Sequence, residues 1–412
     1  MIVDFQHHFT PHELMPKDLG RRKVVSYDEH GAPSFILHWM LFDLDEHIRM
    51  MDESGIDVAF LTSAAGMCAD LEKSRLCNAS AKKAERDYPG RFIGAAHANP
   101  LGGADAFREL GRCKHELGFP GVVGIVAGRL KERFTKPAFV AGFEGGMGRG
   151  SARSIPGIDI GAIIRAAAEA KVIEYGGGHA MAAGFSLTSA QLDGFGKFIA
   201  ARFSGSGPAL AAANDLYLDA PEFEPFWAEC AKLDLFVFVH PALKLNQTRQ
   251  FDGYDTARSV GREFSLVMAT IRLINSGVFD RHPSLTIHMS HLGGGLSALL
   301  GRIRSYQDKD FWGTLDNARH GMKPKKDFDY YLQNNMVFDT AGFCGAIGAV
   351  KAALIEIPAA RIVFATDYPQ EIRARSAVRD FVKEIFALGA PGERILSGNV
   401  SLLLDERATA SA

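Results

Sequence analysis

The chain has 412 residues, 47% of them hydrophobic, and a formal net charge of -2. That charge gives no sign of a polyanion-binding surface spread over the whole molecule. Five scattered cysteines (Cys68, Cys77, Cys113, Cys230 and Cys344) form no C-x-x-C pair. They argue against a disulfide framework or thiolate zinc site and for a reducing compartment. No apolar run reaches membrane-spanning length, and the first strand candidate starts at residue 2. The expectation is a cytoplasmic protein with no leader and no membrane partner.

Strand candidates then alternate with amphipathic helices, the pattern of a parallel α/β fold. Residues 2–5 read as strand 1, 45–53 as a helix, 58–61 as strand 2 and 70–88 as a long helix ending at Pro89-Gly90. Residues 92–96 read as strand 3, 104–117 as a helix and 121–123 as the start of strand 4. Strand 5 falls at 235–239, strand 6 at 285–289, strand 7 at 336–338 and strand 8 at 362–365, with helices at 262–276 and 295–306. Eight strands fit a (β/α)8 TIM barrel. An open sheet fits less well, because no Gly-rich dinucleotide turn follows strand 1.

An interruption follows strand 4. Residues 124–203 carry 10 Lys/Arg against 6 Asp/Glu, about +4, so the remainder is about -6, and 15 of the 43 glycines fall there. Residues 204–208 (SGSGP) and an alanine run read as a tether. The host pattern resumes near residue 216, with a helix start at Asp219-Ala220-Pro221-Glu222. The expected domains are 1–123, the first half of the barrel; 124–213, an inserted small α/β module with its linker; and 214–412, the second half. Because loops after strands lie on the catalytic face, the module is expected above or beside the site.

Four motifs sit at strand ends: Asp4-Phe5-Gln6-His7-His8, Val239-His240-Pro241, Ser290-His291-Leu292-Gly293-Gly294 and Ala365-Thr366-Asp367-Tyr368-Pro369. Strand alternation puts Asp4, Gln6 and His8 on one face and His7 on the other. A lone His at a strand end is usually a hydrogen-bonded core residue. Imidazoles and a carboxylate at the ends of strands 1, 5, 6 and 8 together point to one divalent metal and an acid/base partner. Arg249, Arg262 and Arg302 are candidate cations for an acidic substrate, although Arg262-Glu263 also suits a structural ion pair. His38 and Trp39 suit either the pocket wall or packing.

Residues 1–123 and 214–404, on these four motifs, are similar to the amidohydrolase superfamily, in its aminocarboxymuconate-semialdehyde decarboxylase-like branch. The resemblance implies metal ligands at His8, His240 and Asp367, together with Gln6, which stands where the family has its first histidine and whose amide oxygen can coordinate a divalent ion. It implies His291 and Asp367 as catalytic residues and one divalent ion, Zn2+ first and Mn2+ as the alternative. The substrate class implied is a small carboxylated aromatic or ring-cleavage acid, and the reaction a decarboxylation or a C–C or C–N hydrolysis. It also implies self-association through barrel helices, as a homo-oligomer.

The inserted stretch holds Gly148-Arg149-Gly150-Ser151-Ala152-Arg153-Ser154 and Gly176-Gly177-Gly178-His179. Consecutive glycines free backbone N–H groups to cradle a phosphate, while a Gly-rich fold with no ligand accounts for them equally well. Residues 122–203 resemble the DHHA1 domain of RecJ exonucleases. That resemblance implies weak single-stranded nucleic acid binding through Arg153, Ser154, Gly177, Gly178 and His179. It implies no exonuclease activity, because the metal-binding aspartates and Asp-His-His motif of the phosphoesterase domain are missing.

Overall fold

A computed structural model describes residues 1–27, 33–63, 65, 70–126, 138–144, 146–153, 160–179, 182–192, 194–195, 197–198, 217–241, 254–307, 324–400 and 404. Eight parallel strands follow one another around a barrel. They are β1 (Val3–His8), β2 (Val58–Thr62), β3 (Phe92–Gly94 and Ala96–His97), β4 (Gly121–Val126), β5 (Phe236–Pro241), β6 (Ile287–Met289), β7 (Met336–Asp339) and β8 (Ile362–Val363). Each pairs with the next. Ala95 N–H, donating to Leu61 O at 3.3 Å, carries β2 past the break in β3. The chain beyond β8 returns to β1: Phe5 N–H donates to Phe364 O at 2.9 Å and His8 N–H to Tyr368 O at 2.8 Å. The sheet therefore has no free edge.

The sequence explains the closure. Each strand is a short apolar run, and its helices cap as their sequences suggest. Asp43 caps Leu44–Ser54 through Glu46 N–H, and Gly55 ends that helix at φ +74. Asp70 caps Leu71–Asp87 through Lys73 N–H. Inside the barrel, Phe5 meets Phe60, Phe238 and Phe236 at ring separations of 4.7, 5.0 and 5.3 Å, among Val3, Ala95, Val123, Val337, Val363 and Ala365. Such a filled interior leaves chemistry to the mouth, at the strands' C-terminal ends.

Strand 1 departs from simple alternation. Its register against β2 shifts between Asp4 and His7. Val3 and Phe5 face the barrel core, and beyond the shift Gln6 and His8 take over the inward direction. Asp4 instead bonds His7 Nδ1 at 2.9 Å and accepts from Thr366 N–H at 3.0 Å and Thr366 Oγ1–H at 2.6 Å. The expected shared face of Asp4 with Gln6 and His8 is thus corrected by a bulge.

By contacts the chain forms two compact units. One comprises Met1–Ser26, Ser34–Arg129 and Leu216–Ala412; the other comprises Tyr27–Pro33 and Leu130–Asp215. In the second, Ala138–Glu144, Met147–Arg153, Ala182–Thr188 and Tyr175–His179 form an antiparallel sheet in that spatial order. The Ile160–Glu169 helix packs Ile164 and Ala167 against Ile173, Ala183, Phe185 and Leu187. A Cβ on Gly176 would lie 2.5 Å from Ile164 Cγ2, so the first glycine of the run serves helix-to-sheet packing. Around Gly177 the same space is open.

Candidate metal centre and active site

The inward-facing residues of β1, β5 and the chain after β8 end in a common cluster. Among the described residues, His8, His240 and Asp367 form the one group of three that could hold a cation, with their donor atoms within 4.8 Å of one another. His8 Nε2 lies 2.5 Å from Asp367 Oδ1, and His240 Nε2 lies 3.7 Å from it, too far for a hydrogen bond. The His8 and His240 rings stand edge to face at 5.0 Å. Burial pushes the His240 pKa down to about 4, against the opposing pull of Asp367, so its imidazole is neutral. Burial opposes ionisation of Asp367, but His8 and His240 hold its carboxyl well below the usual range. Two imidazoles and a dry carboxylate with His240 Nε2 unpartnered suit a divalent cation.

Gln6 adjoins the cluster. Its amide oxygen accepts from Ser290 Oγ–H at 2.6 Å, and its Nε2 donates to Asp367 Oδ1 at 2.7 Å. In this arrangement Gln6 orients Asp367, and Ser290 in turn holds Gln6.

His291 lies beside the cluster, its ring edge to face with His240 at 5.3 Å. Its Nδ1 sits 3.0 and 3.1 Å from the two oxygens of Glu263, and its buried Nε2 has no partner. Burial opposes charge on this ring, but Glu263 outweighs it and raises the pKa to about 9. Glu263 is in turn held by Arg262 Nε at 2.9 Å, and Arg262 reaches Glu371 as well. Arg262, a candidate substrate cation, is thus committed to two carboxylates, as the ion-pair reading of Arg262-Glu263 expects. Arg302 lies exposed over the Tyr306 ring at 4.9 Å, and Arg249 lies outside the described residues.

Three contributors were not read from the sequence. Glu263 stands in a helix and looks like an ordinary i,i+1 partner of Arg262; only the fold brings it to His291, 28 positions on. Asp339, at the end of β7, accepts from His291 N–H at 2.7 Å and Ala341 N–H at 3.0 Å. Its other oxygen lies 2.9 Å from His288 Nε2, off the hydrogen-bond line. Ser290, quoted only as a neighbour of His291, holds Gln6. Had the alternation of strand 6 been continued to its end, it would have placed Ser290 inward with His288.

His38 is buried, with its pKa lowered to about 4 by burial and then by Arg373 and Lys23. Trp39 is half-buried with Arg21 over its ring at 5.1 Å.

In the second unit, Arg153 and His179 both pair with Ala182, from opposite sides, and Gly177 and Gly178 pair with Gly184 and Ala183. These positions share one end of the sheet; Ser154 and residues 204–208 lie outside the described residues. Arg165 Nη1 donates to Gly178 O at 2.8 Å, a partner the motif alone did not suggest.

Residues 194–388 match the amidohydrolase family, and residues 113–205 match the DHHA1 domain. A gamma-resorcylate decarboxylase of Rhodococcus jostii (strain RHA1) is 32% identical over 172 residues, covering 41% of this chain and 50% of that protein. A dihydroxybenzoic acid decarboxylase structure from Polaromonas sp. JS666, with bound manganese and 2-nitroresorcinol, superposes with a TM-score of 0.63 at 22% identity, over 98% of this chain and 96% of that one. Over residues 194–388 the chain is thus similar to the amidohydrolase family. The chain spans about half the length of the first curated relatives it matches. That superposition shows a shared barrel fold. Within the DHHA1 match, the RecJ exonuclease of Bacillus subtilis (strain 168) is 46% identical over 71 residues, 16% of this chain and 9% of that protein.

Proposed function

We propose that the amidohydrolase barrel is a metal-dependent decarboxylase of hydroxylated aromatic acids. The observation that carries this reading is the His291 imidazole, paired with Glu263 and with its buried Nε2 unpartnered, beside the His8, His240 and Asp367 cluster at the mouth of the barrel. Those three residues would hold one divalent cation. When bound, it would supply Lewis-acid polarisation and charge neutralisation for an acidic substrate. Manganese, which the Polaromonas relative binds, replaces zinc as the first choice.

His291 supplies the proton. Its Nε2–H bond breaks, and the proton adds to the ring carbon bearing the carboxylate. The bond from that carbon to the carboxylate then breaks, its electron pair restores the aromatic ring, and CO2 leaves. Neutral His291, still bound to Glu263, regains a proton from water. Decarboxylation is favoured over hydrolysis by the curated relatives, which are gamma-resorcylate decarboxylases.

The test is CO2 release from 2,6-dihydroxybenzoate by protein loaded with Mn2+, with metal analysis of each variant. His291→Asn is expected to keep its metal and lose turnover by about 10²-fold or more, and His240→Ala to lose the metal. Equal metal content in wild type and His240→Ala would refute the ligand set. Hydrolysis of an amide or diketone with no CO2 release would refute the reaction.

A further inference from the structure

We infer that Gly342, in the loop after β7, is a positioning residue: its missing side chain forms the slot that holds the His291 imidazole against Glu263. A Cβ built on Gly342 would stand 2.2 Å from His291 Cγ, 2.4 Å from Nδ1 and 2.6 Å from its Cβ. None of these is the free end of a flexible chain, and Nδ1 is the atom that meets Glu263 at 3.0 and 3.1 Å. The ring cannot retreat by moving its backbone. His291 N–H is bound to Asp339 Oδ1 at 2.7 Å, and the same oxygen holds Ala341 N–H at 3.0 Å. One carboxylate therefore ties the His291 backbone to the segment that presents Gly342. Glu263 is fixed from its far side by Arg262. The ring is enclosed by Gly342, Glu263 and its own anchored backbone, and only Nε2 is left without a partner. The three atoms nearest to such a Cβ all belong to His291 and none to His8, His240 or Asp367, so its first effect falls on the ring and not on the cation cluster.

The consequence for turnover rests on the decarboxylase reading; the geometry does not. Two measurements keep them apart. The first is a thermal-unfolding cycle of wild type, Gly342→Ala, His291→Ala and the double variant. Gly342 has φ +81, so any side chain there carries left-handed strain in both backgrounds. The overlaps of 2.2 and 2.4 Å with the ring exist only when His291 is present, whereas the 2.6 Å overlap with its Cβ persists in His291→Ala and enters both backgrounds alike. Gly342→Ala is expected to lower the midpoint more in the wild type than in the His291→Ala background. If Gly342→Ala alone fails to fold, recovery of soluble protein on adding His291→Gly, which removes the Cβ overlap as well as the ring, is the same result. An equal penalty in both backgrounds, or no recovery, overturns the proposal. The second is kinetic. Gly342→Ala should keep its metal and KM and lose kcat by about 10²-fold, the scale of a misplaced catalytic group. Loss of metal in parallel with kcat would show the glycine acting on the cluster and also overturn the proposal. A wild type without CO2 release would sink the reaction while leaving the unfolding cycle intact.

Discussion

At the residue scale, the candidate site depends on how one carboxylate changes the charge on one imidazole. Glu263 raises the His291 pKa to about 9 against the opposing effect of burial. The sign follows: a folded pKa above the unfolded value near 6.5 stabilises the folded protein fully below pH 6.5, and this contribution fades as pH rises through about 9. In metal-stripped protein, a histidine NMR titration should find His291 protonated through neutral pH. Glu263→Gln, which keeps the shape and removes the charge, should bring its pKa back towards 6.5. Titration near 6.5 in both proteins would show that Glu263 does not set the charge. Gln6 makes a second case. With Nε2 on Asp367 and Oε1 on Ser290, Gln6→Leu should weaken Mn2+ binding by roughly 10–100-fold, as loss of an orienting partner does. Unchanged affinity in calorimetry would remove Gln6 from the site. The histidine and aspartate positions were legible because a strand end fixes where its last inward side chain points. The Glu263 pairing was not, because a helix residue 28 positions from its partner leaves no local spacing to read.

Among the elements, the turn after β6 is the one whose sequence was legible and whose shape was not. The Ser290-His291-Leu292-Gly293-Gly294 motif with Gly295 suggests a helix starting close by, and helical turns do begin at Leu296, but only after a left-handed turn that the residue types did not announce. His291, Leu292, Gly293, Gly294 and Gly295 have φ of +56, +50, +67, +70 and +81. Glycine takes this conformation freely, whereas His291 and Leu292 together cost about 2–4 kcal/mol. That strain turns the imidazole back towards Glu263 and Gly342. A Cβ on Gly294 would fall 1.9 Å from Glu263 O, against backbone that cannot yield. Gly294→Ala is therefore expected to destabilise the protein by about 2 kcal/mol or more. An urea midpoint within experimental error of the wild type would mean the turn relaxes without cost. Strand 1 teaches a similar lesson. Period-two alternation predicted its inward face correctly at Gln6 and His8 but not at Asp4, because the shift in register before His7 leaves no mark in residue type. Strand 7 was found as an apolar run, yet Asp339 was overlooked because its work is done through backbone N–H groups.

Across the whole molecule, the fold was legible to the extent that apolar runs of strand length alternate with capped helices, which is why all eight barrel strands were found close to their positions. The Gly-rich stretch was legible as foreign by composition, and its antiparallel sheet has a core of its own, from Ile164 and Ala167 to Phe185 and Leu187. We expect the two units to fold independently. The barrel's closing bonds lie between β1 and the chain after β8, at Phe5–Phe364 and His8–Tyr368, and Asp4 bridges to Thr366. None of these comes from residues 130–215. Replacing residues 130–215 by a short Gly/Ser linker should leave a soluble barrel that binds one Mn2+ per chain, because long surface insertions cost little loop entropy and their removal releases little. The excised segment, expressed alone, should keep its antiparallel sheet. If it carries the nucleic acid affinity that its DHHA1 resemblance implies, it should retain single-stranded DNA on a filter at low salt. Arg153→Ala should reduce that retention, and added salt should abolish it, since residues 130–215 carry 9 Lys/Arg against 7 Asp/Glu, a net charge of +2 that supports few phosphate contacts. Retention that survives Arg153→Ala unchanged would take Arg153 out of the surface. An insoluble linker-replaced barrel, with the full chain soluble, would show that the two units depend on each other for folding.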